Sequence, residues 1–364
     1  MSHDEIIKEL RSKLGDSVKD NDTMLRAEAE KFSREKNMEG VRAVSELLLE
    51  NMPESEKEEI KRITHVDGVR LDIMHGQIVE MIDKHSAIEA KPIAERLYKK
   101  IMVEFKETEK TKFVSMRNPF EDNLCQILFK QSKTLTRTPF DFATYLTTYA
   151  YIITETGSPF DAIPVLKQAI EFNPVDCGPK FELAEVYKLL QNKKRLLEIT
   201  RETIKVASSP VALARCYANI GYALTDIYEY DDAAAFYTAS VMMYPHPAIP
   251  HEMRNLAHLK GTPLKTYNYN QLKGVFDKYE ITMGFNREVI HVASELSAHY
   301  LADNDIPNAL KALKITYCMT QDEQIKNLIL KYEPESARAF ENEKDDGEER
   351  RQNITKTENP DFKR

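Results

Sequence analysis

The sequence predicts an all-α protein, a stack of antiparallel helix pairs preceded by irregular helices, and three observations carry that expectation. Glycine is scarce, 11 in 364 residues, while 30 % of residues are charged and 42 % hydrophobic. Such a mixture suits helices, since sheets call for more turn glycines. One short phrase recurs at intervals of 20 residues, as "NPFE" at Asn118–Glu121, "TPFD" at Thr138–Asp141 and "SPFD" at Ser158–Asp161. Beyond Phe140 a spacing of large and small residues also repeats, and its small residue falls at Ala150, Ala184 and Gly221, steps of 34 and 37.

From Glu5 to about Phe113 the pattern is helical but irregular. Residues 22–53 predict a helix pair broken near Asn37–Gly40. Residues 70–105 predict another, with Leu71, Met74, Ile78, Met81 and Ile82, then Ile93, Leu97, Ile101 and Phe105, at steps of three and four. The charged run "KETEKTK" at Lys106–Lys112 reads as a solvated connection. The recurring phrase then reads as a helix start. Asn, Thr and Ser cap helix N-termini through a side-chain oxygen. Proline in the next position needs no N–H, and the acid three residues after the cap faces the positive helix end. The spacing leaves room for roughly 15–17 helical residues and a tight turn. Pro164 sits six residues past Ser158, so this helix either kinks there or starts at Asp161.

The repeat is clearest in two places. Leu146, Tyr149–Ala150, Ile153, Ala162, Leu166, Ala169 and Pro174 match Tyr217, Ile220–Gly221, Leu224, Ala233, Tyr237, Ser240 and Pro245. Leu183–Ala184, Tyr187, Leu196 and Thr203 form a weaker copy between them, and Leu296–Ser297, Tyr300, Ala309, Leu313 and Thr316 form a later one. Two helices approach closely only where side chains are small, which pairs Ala150 with Ala162 and Gly221 with Ala233. A hairpin of this kind cannot bury its apolar face alone and must stack on a neighbour.

This spacing resembles the tetratricopeptide (TPR) repeat, whose period is about 34 residues. The resemblance covers roughly 140–245 well and 290–320 moderately. Lys180 departs from it, standing where a bulky residue belongs, and the residues around Pro247–Tyr279 intervene as a divergent repeat or an insertion. The resemblance implies a right-handed superhelical stack, a TPR-like α-solenoid, whose first helices line a concave groove. It also implies that a peptide or partner helix occupies that groove. Carried onto this sequence, the groove-facing residues are Thr147, Tyr151, Glu155, Phe181, Glu185, Lys188, Arg215, Ala218, Tyr222 and Asp226, with Asn219 beside them. Aromatics amid mixed charge suit recognition of a peptide. The Lys/Asn/Arg clamp of chaperone-binding members is absent, because Thr147, Tyr151 and Glu182 occupy its places.

Composition excludes other classes. Net charge −8 argues against a nucleic-acid binder. No apolar run approaches the roughly 20 residues that cross a bilayer, and "MSHDEIIKEL" is charged where a secretory signal would be apolar. Cys125, Cys177, Cys216 and Cys318 form no CxxC pair and read as reduced, mostly buried thiols of a cytoplasmic protein. His251 and His258, seven apart, would share a helix face but stand about 10.5 Å apart along it, too far to ligate one ion. No phosphate-cradling loop or nucleophile motif occurs, so no cofactor, metal or catalytic residue is expected.

The sequence thus divides into an N-terminal helical region at 1–113, TPR-like repeats at 114–335 and an acidic, mostly disordered tail at 336–364. It reads as a non-enzymatic scaffold for a protein or peptide of unknown identity, with self-association left open. The alternatives are a peptide-sensing regulator with an N-terminal effector module and, more weakly, an all-helical metal hydrolase.

Overall fold

The computed structural model describes residues 3–35, 37–130 and 132–340. The first three helices, α1 (His3–Arg11), α2 (Val18–Arg34) and α3 (Met38–Asn51), close around a core of their own made of Ile6, Ile7, Leu10, Leu25, Ala43, Val44 and Leu47. The break at 37–40 falls as expected, because the Asn37 side chain accepts from the Gly40 N–H and opens α3. Gly40 is required there, since a Cβ would stand 2.4 Å from the Phe32 ring.

After α4 (Glu54–Thr64) the chain makes a small hairpin, β1 (His65–Val66) with β2 (Val69–Arg70). Its two-residue turn, Asp67–Gly68, has positive φ at both positions, as a type I′ turn demands. Helices α5 (Leu71–Asp83) and α6 (Ala87–Glu104) follow as the expected second pair.

The region around the recurring phrase departs from the expectation. Part of the charged run is not a loop: Thr111 and Lys112 enter strand β3 (Thr111–Val114). This strand spans the expected division at 113–114. Helix α7 (Pro119–Leu128) begins with its Asn118 cap as expected, but it lasts only 10 residues. Strand β4 (Thr134–Arg137) then pairs parallel with β3, Thr111 opposite Thr134. Helix α7 and strand β4 therefore fill the space between the first two phrases and, with β3 before them, make a strand–helix–strand unit instead of two stacked helices. Thr138 is not a cap. Its hydroxyl bonds the Ser115 hydroxyl and the Phe140 carbonyl, which closes the exit of β4. Asp141 takes over the cap by accepting from the Thr144 N–H.

From there the chain is a series of hairpins: α8 (Phe142–Glu155) with α9 (Pro159–Phe172), α10 (Cys177–Leu189) with α11 (Lys193–Ile204), and α12 (Pro210–Thr225) with α13 (Tyr230–Met243). Helix α9 starts at Pro159 and runs through Pro164, so it is not delayed to Asp161, and the Ser158 side chain makes no capping bond. The intervening stretch holds two shorter helices, α14 (Ile249–Lys260) and α15 (Tyr269–Lys278), which both pack on α13. Then come α16 (Arg287–Ala302), α17 (Ile306–Thr320) and α18 (Glu323–Tyr332). The chain is thus an α-solenoid of antiparallel helix pairs similar to TPR repeats.

Small residues sit where the helices meet. Ala150, Ala162 and Ala233 are fully buried. The group that crowds Gly221 is the Tyr237 ring, which would stand 3.0 Å from an added Cβ. One apolar cluster runs from α5–α6 through α8–α11, and a second joins α12–α15. A third joins Phe120 and Leu124 of α7 to Val289, Val292 and Ala293 of α16. The entry to α16 is tied to earlier parts of the chain as well, by Asn286 Nδ2 donating to the Lys205 carbonyl after α11 at 2.8 Å and the Gly284 N–H donating to the Tyr217 hydroxyl of α12 at 2.7 Å. A 3-10 turn at Pro334–Ser336 leads into the expected tail, whose Phe340 ring meets Tyr317 edge-on at 5.0 Å. Residues 341–364 lie outside the described residues.

Candidate functional site

The first helices of successive hairpins, α8, α10 and α12, carry the predicted inner face, and α14 continues it. A cavity of about 530 Å³ opens there. Its walls are Glu185 and Lys188 from α10, and Val211, Ala214, Arg215, Ala218, Asn219 and Tyr222 from α12. Tyr237 and Ser240 of α13 and Ala248, Ile249 and Glu252 at the start of α14 complete it, with Tyr244 and His246 on the connecting turn. Helical spacing explains the α12 set: 211, 214, 215, 218, 219 and 222 recur at steps of three and four and share one face.

Six of the eleven residues expected on the inner face meet in this cavity: Glu185, Lys188, Arg215, Ala218, Asn219 and Tyr222. Lys188 and Arg215 both reach Glu185, at 2.9 and 3.1 Å. Burial works to raise the Glu185 carboxyl, but these two cations outweigh it and hold the group below its ordinary value. Glu182 has Arg215 only at 4.0 Å, and there burial prevails and raises the carboxyl. Tyr222 is flanked by cations, with Lys193 4.2 Å and Lys188 5.5 Å from its ring centre. Lys193 also donates to its hydroxyl at 3.2 Å. The tyrosine is therefore held in place before any ligand arrives.

Asn219 differs from its neighbours. It is 2 % exposed, and its Nδ2 is a fully buried donor with no hydrogen-bond partner. Leaving such a donor unpaired costs about 1–3 kcal/mol.

The other five expected residues lie elsewhere, and Thr147 on α8 donates its hydroxyl to the Ala143 carbonyl at 2.7 Å. Tyr151 and Glu155 are exposed on α8 and do not line the cavity. Phe181 is buried, with the Arg215 guanidinium 4.5 Å above its ring. Asp226 follows the end of α12, ion-paired with Lys193. The sequence reading took Tyr237 only as a repeat position between helices, and it missed His246, Ile249 and Glu252 because the residues after Pro245 carry no clear repeat. The stretch "AIPHE" did hold a signal, proline and an acid in a first helical turn, and α14 starts there.

Around the histidines, His246 Nδ1 accepts the Ala248 N–H at 3.2 Å. Among the described residues no group of three or more His, Cys, Asp or Glu is placed to hold a metal ion. No helix among them is long and apolar enough to cross a membrane.

No family model matches the chain, and no curated protein matches it. Among solved structures it is similar to a chain in the crystal structure of the APC/C hetero-tetramer Cut9–Hcn1, with 9 % identity and a TM-score of 0.31. That alignment covers 83 % of this chain and spans 58 % of the other chain's length.

Proposed function

We propose that this protein is a non-enzymatic scaffold whose inner helical face binds an extended or helical segment of a partner protein. The observation that carries this reading is Asn219. A buried amide donor with no acceptor, on a residue that lines an open and largely apolar cavity, is costly to the free chain, and a ligand carbonyl that reached it would remove that cost. The ion-paired rim of Glu185, Lys188 and Arg215 and the immobilised Tyr222 are assembled in advance, which lowers the ordering cost of binding. Four free cysteines support a reducing compartment, and we assign the protein to the cytoplasm.

A second reading, a peptide-sensing regulator, is favoured by one observation: α1–α3 enclose a core separate from those of the stack. In that reading the N-terminal bundle is the effector and the repeats are the sensor.

Affinity capture from extracts of the source cells, using the full chain beside Tyr222→Ala and Arg215→Ala, tests the scaffold reading. Partners common to all three forms would exclude the inner face; partners lost in both variants support it. Phe181→Ala is unsuitable for this purpose, since it would open a cavity in the core.

A further inference from the structure

The charges around the cavity do not balance locally. On one side Lys188 and Arg215 share Glu185, with Glu182 outside the cavity and only within 4.0 Å of Arg215. On the α14 side stands Glu252, half-buried and without an ion-pair or hydrogen-bond partner among the described residues. Between these two ends the wall is apolar, made of Val211, Ala214, Ala218 and Ile249. The cavity therefore offers an uncompensated carboxylate, an apolar path and one orphaned amide donor.

We propose that this cavity takes an arginine or lysine residue of the bound segment, and the proposal rests on the scaffold reading above. The cationic head pairs with Glu252, the side-chain methylenes lie along the apolar wall, and the backbone carbonyl of that residue accepts from Asn219 Nδ2. Each part answers one feature. A long basic side chain buries its stem on apolar surface while keeping its charge at a polar end. An acidic residue in the same place would set a second carboxylate beside Glu252, where like charges repel. A purely apolar side chain would fill the wall but leave Glu252 half-buried and unpaired.

The experiment is a titration of the full chain followed by NMR, reading the side-chain amide of Asn219, which is assigned by its loss in Asn219→Leu. The probes are the N-acetyl, N-methylamide derivatives of arginine, norleucine and glutamate, together with butylguanidine, which carries the cation and no carbonyl. The arginine derivative is expected to bind at least about 10-fold more tightly than the norleucine and glutamate derivatives, since a charge pair at a partly buried site discriminates by that order. Glu252→Gln should bring arginine and norleucine to parity. Equal binding of arginine and norleucine by the unaltered chain, or tighter binding of glutamate, overturns the assignment while leaving the scaffold reading intact. Butylguanidine binding as tightly as the arginine derivative overturns the part given to Asn219. If none of the probes shifts any resonance of Val211, Arg215, Asn219 or Tyr222, the assignment and the scaffold reading fall together. The ligand series decides the point with the unaltered chain, so it stands even where a variant folds poorly.

Discussion

Asn219→Leu should make the free protein more stable while abolishing capture of its partner. The unpaired Nδ2 costs about 1–3 kcal/mol in the folded state. Leucine has a similar size, removes the donor and adds apolar contact with a wall that already contains Ala218 and Tyr237. Imperfect fit of the branched side chain returns up to about 1 kcal/mol. The net expectation is a gain of about 1–2 kcal/mol. The assay is native-state hydrogen exchange at the amides of Ile220 and Leu224, both fully buried on the same helix, which reports stability where the change is made. Their exchange should slow by a factor of about 5–30. Faster exchange in Asn219→Leu would refute the reasoning, because it would mean that the donor is satisfied in the free protein and the site has no vacancy for a ligand to fill.

Other predictions follow from individual contacts. Gly221→Ala places a methyl 3.0 Å from the Tyr237 ring and should cost about 1–3 kcal/mol by urea unfolding. Gly274→Ala in α15 meets nothing within 4 Å and should instead gain up to about 1 kcal/mol. Lys180 is 2 % exposed, and its folded pKa lies below 10.5 because burial outweighs the attraction of nearby Cys177 and Asp176. The unfolded chain then binds more protons than the folded one between the two values, so stability rises with pH through that window. Measured against Lys180→Met, the natural chain should gain stability as pH rises from neutral toward 10.5. Burial pushes the Cys216 thiol well up and seals it, so it should alkylate at pH 8 only through unfolding, while the partly exposed Cys177, its thiol pushed up to about 11, should react far more slowly than a free thiol. Alkylation at the rate of a free thiol would contradict their placement. Arg117 holds the buried Glu121 through its side chain and its backbone N–H, at 2.6 and 2.8 Å, and faces Asp176 at 3.2 Å. Arg117→Ala should cost about 1–3 kcal/mol and loosen α7, and an unchanged unfolding midpoint would show the cluster to be idle.

The helix pairs were legible because their signal is local. The 3.6-residue spacing of Leu146, Ala150 and Ile153 depends on nothing distant, and neither does the cap at Asn118. What failed was the part set by distant partners. Thr138 has the residue type of a cap, yet its hydroxyl is used by Ser115, 23 residues earlier. The strands were missed because "TKFV" and "TLTR" are four residues each and flanked by charges, so neither stands out until they pair. The turn at Asp67–Gly68 did carry a hairpin signal in "VDGV" that the helical reading passed over. Within the candidate site, position along a helix told which side a residue faces but not what covers it. Phe181 faces the inner side and is hidden by Arg215, which arrives from the next hairpin. Glu252 could be assigned only once α14 was seen to close the cavity.

The central claim is that a partner lies on the inner face between α12 and α14, and photo-crosslinking tests it most directly. Benzoylphenylalanine is placed at Val211, which lines the cavity and is 52 % exposed, or at Met242 of α13, equally exposed and outside it. In extracts of the source cells, the account predicts one discrete crosslinked partner from position 211, none from position 242, and loss of the adduct when Asn219→Leu is combined with the probe. A partner that crosslinks from position 242 and not from 211, or one indifferent to Asn219→Leu, would contradict it.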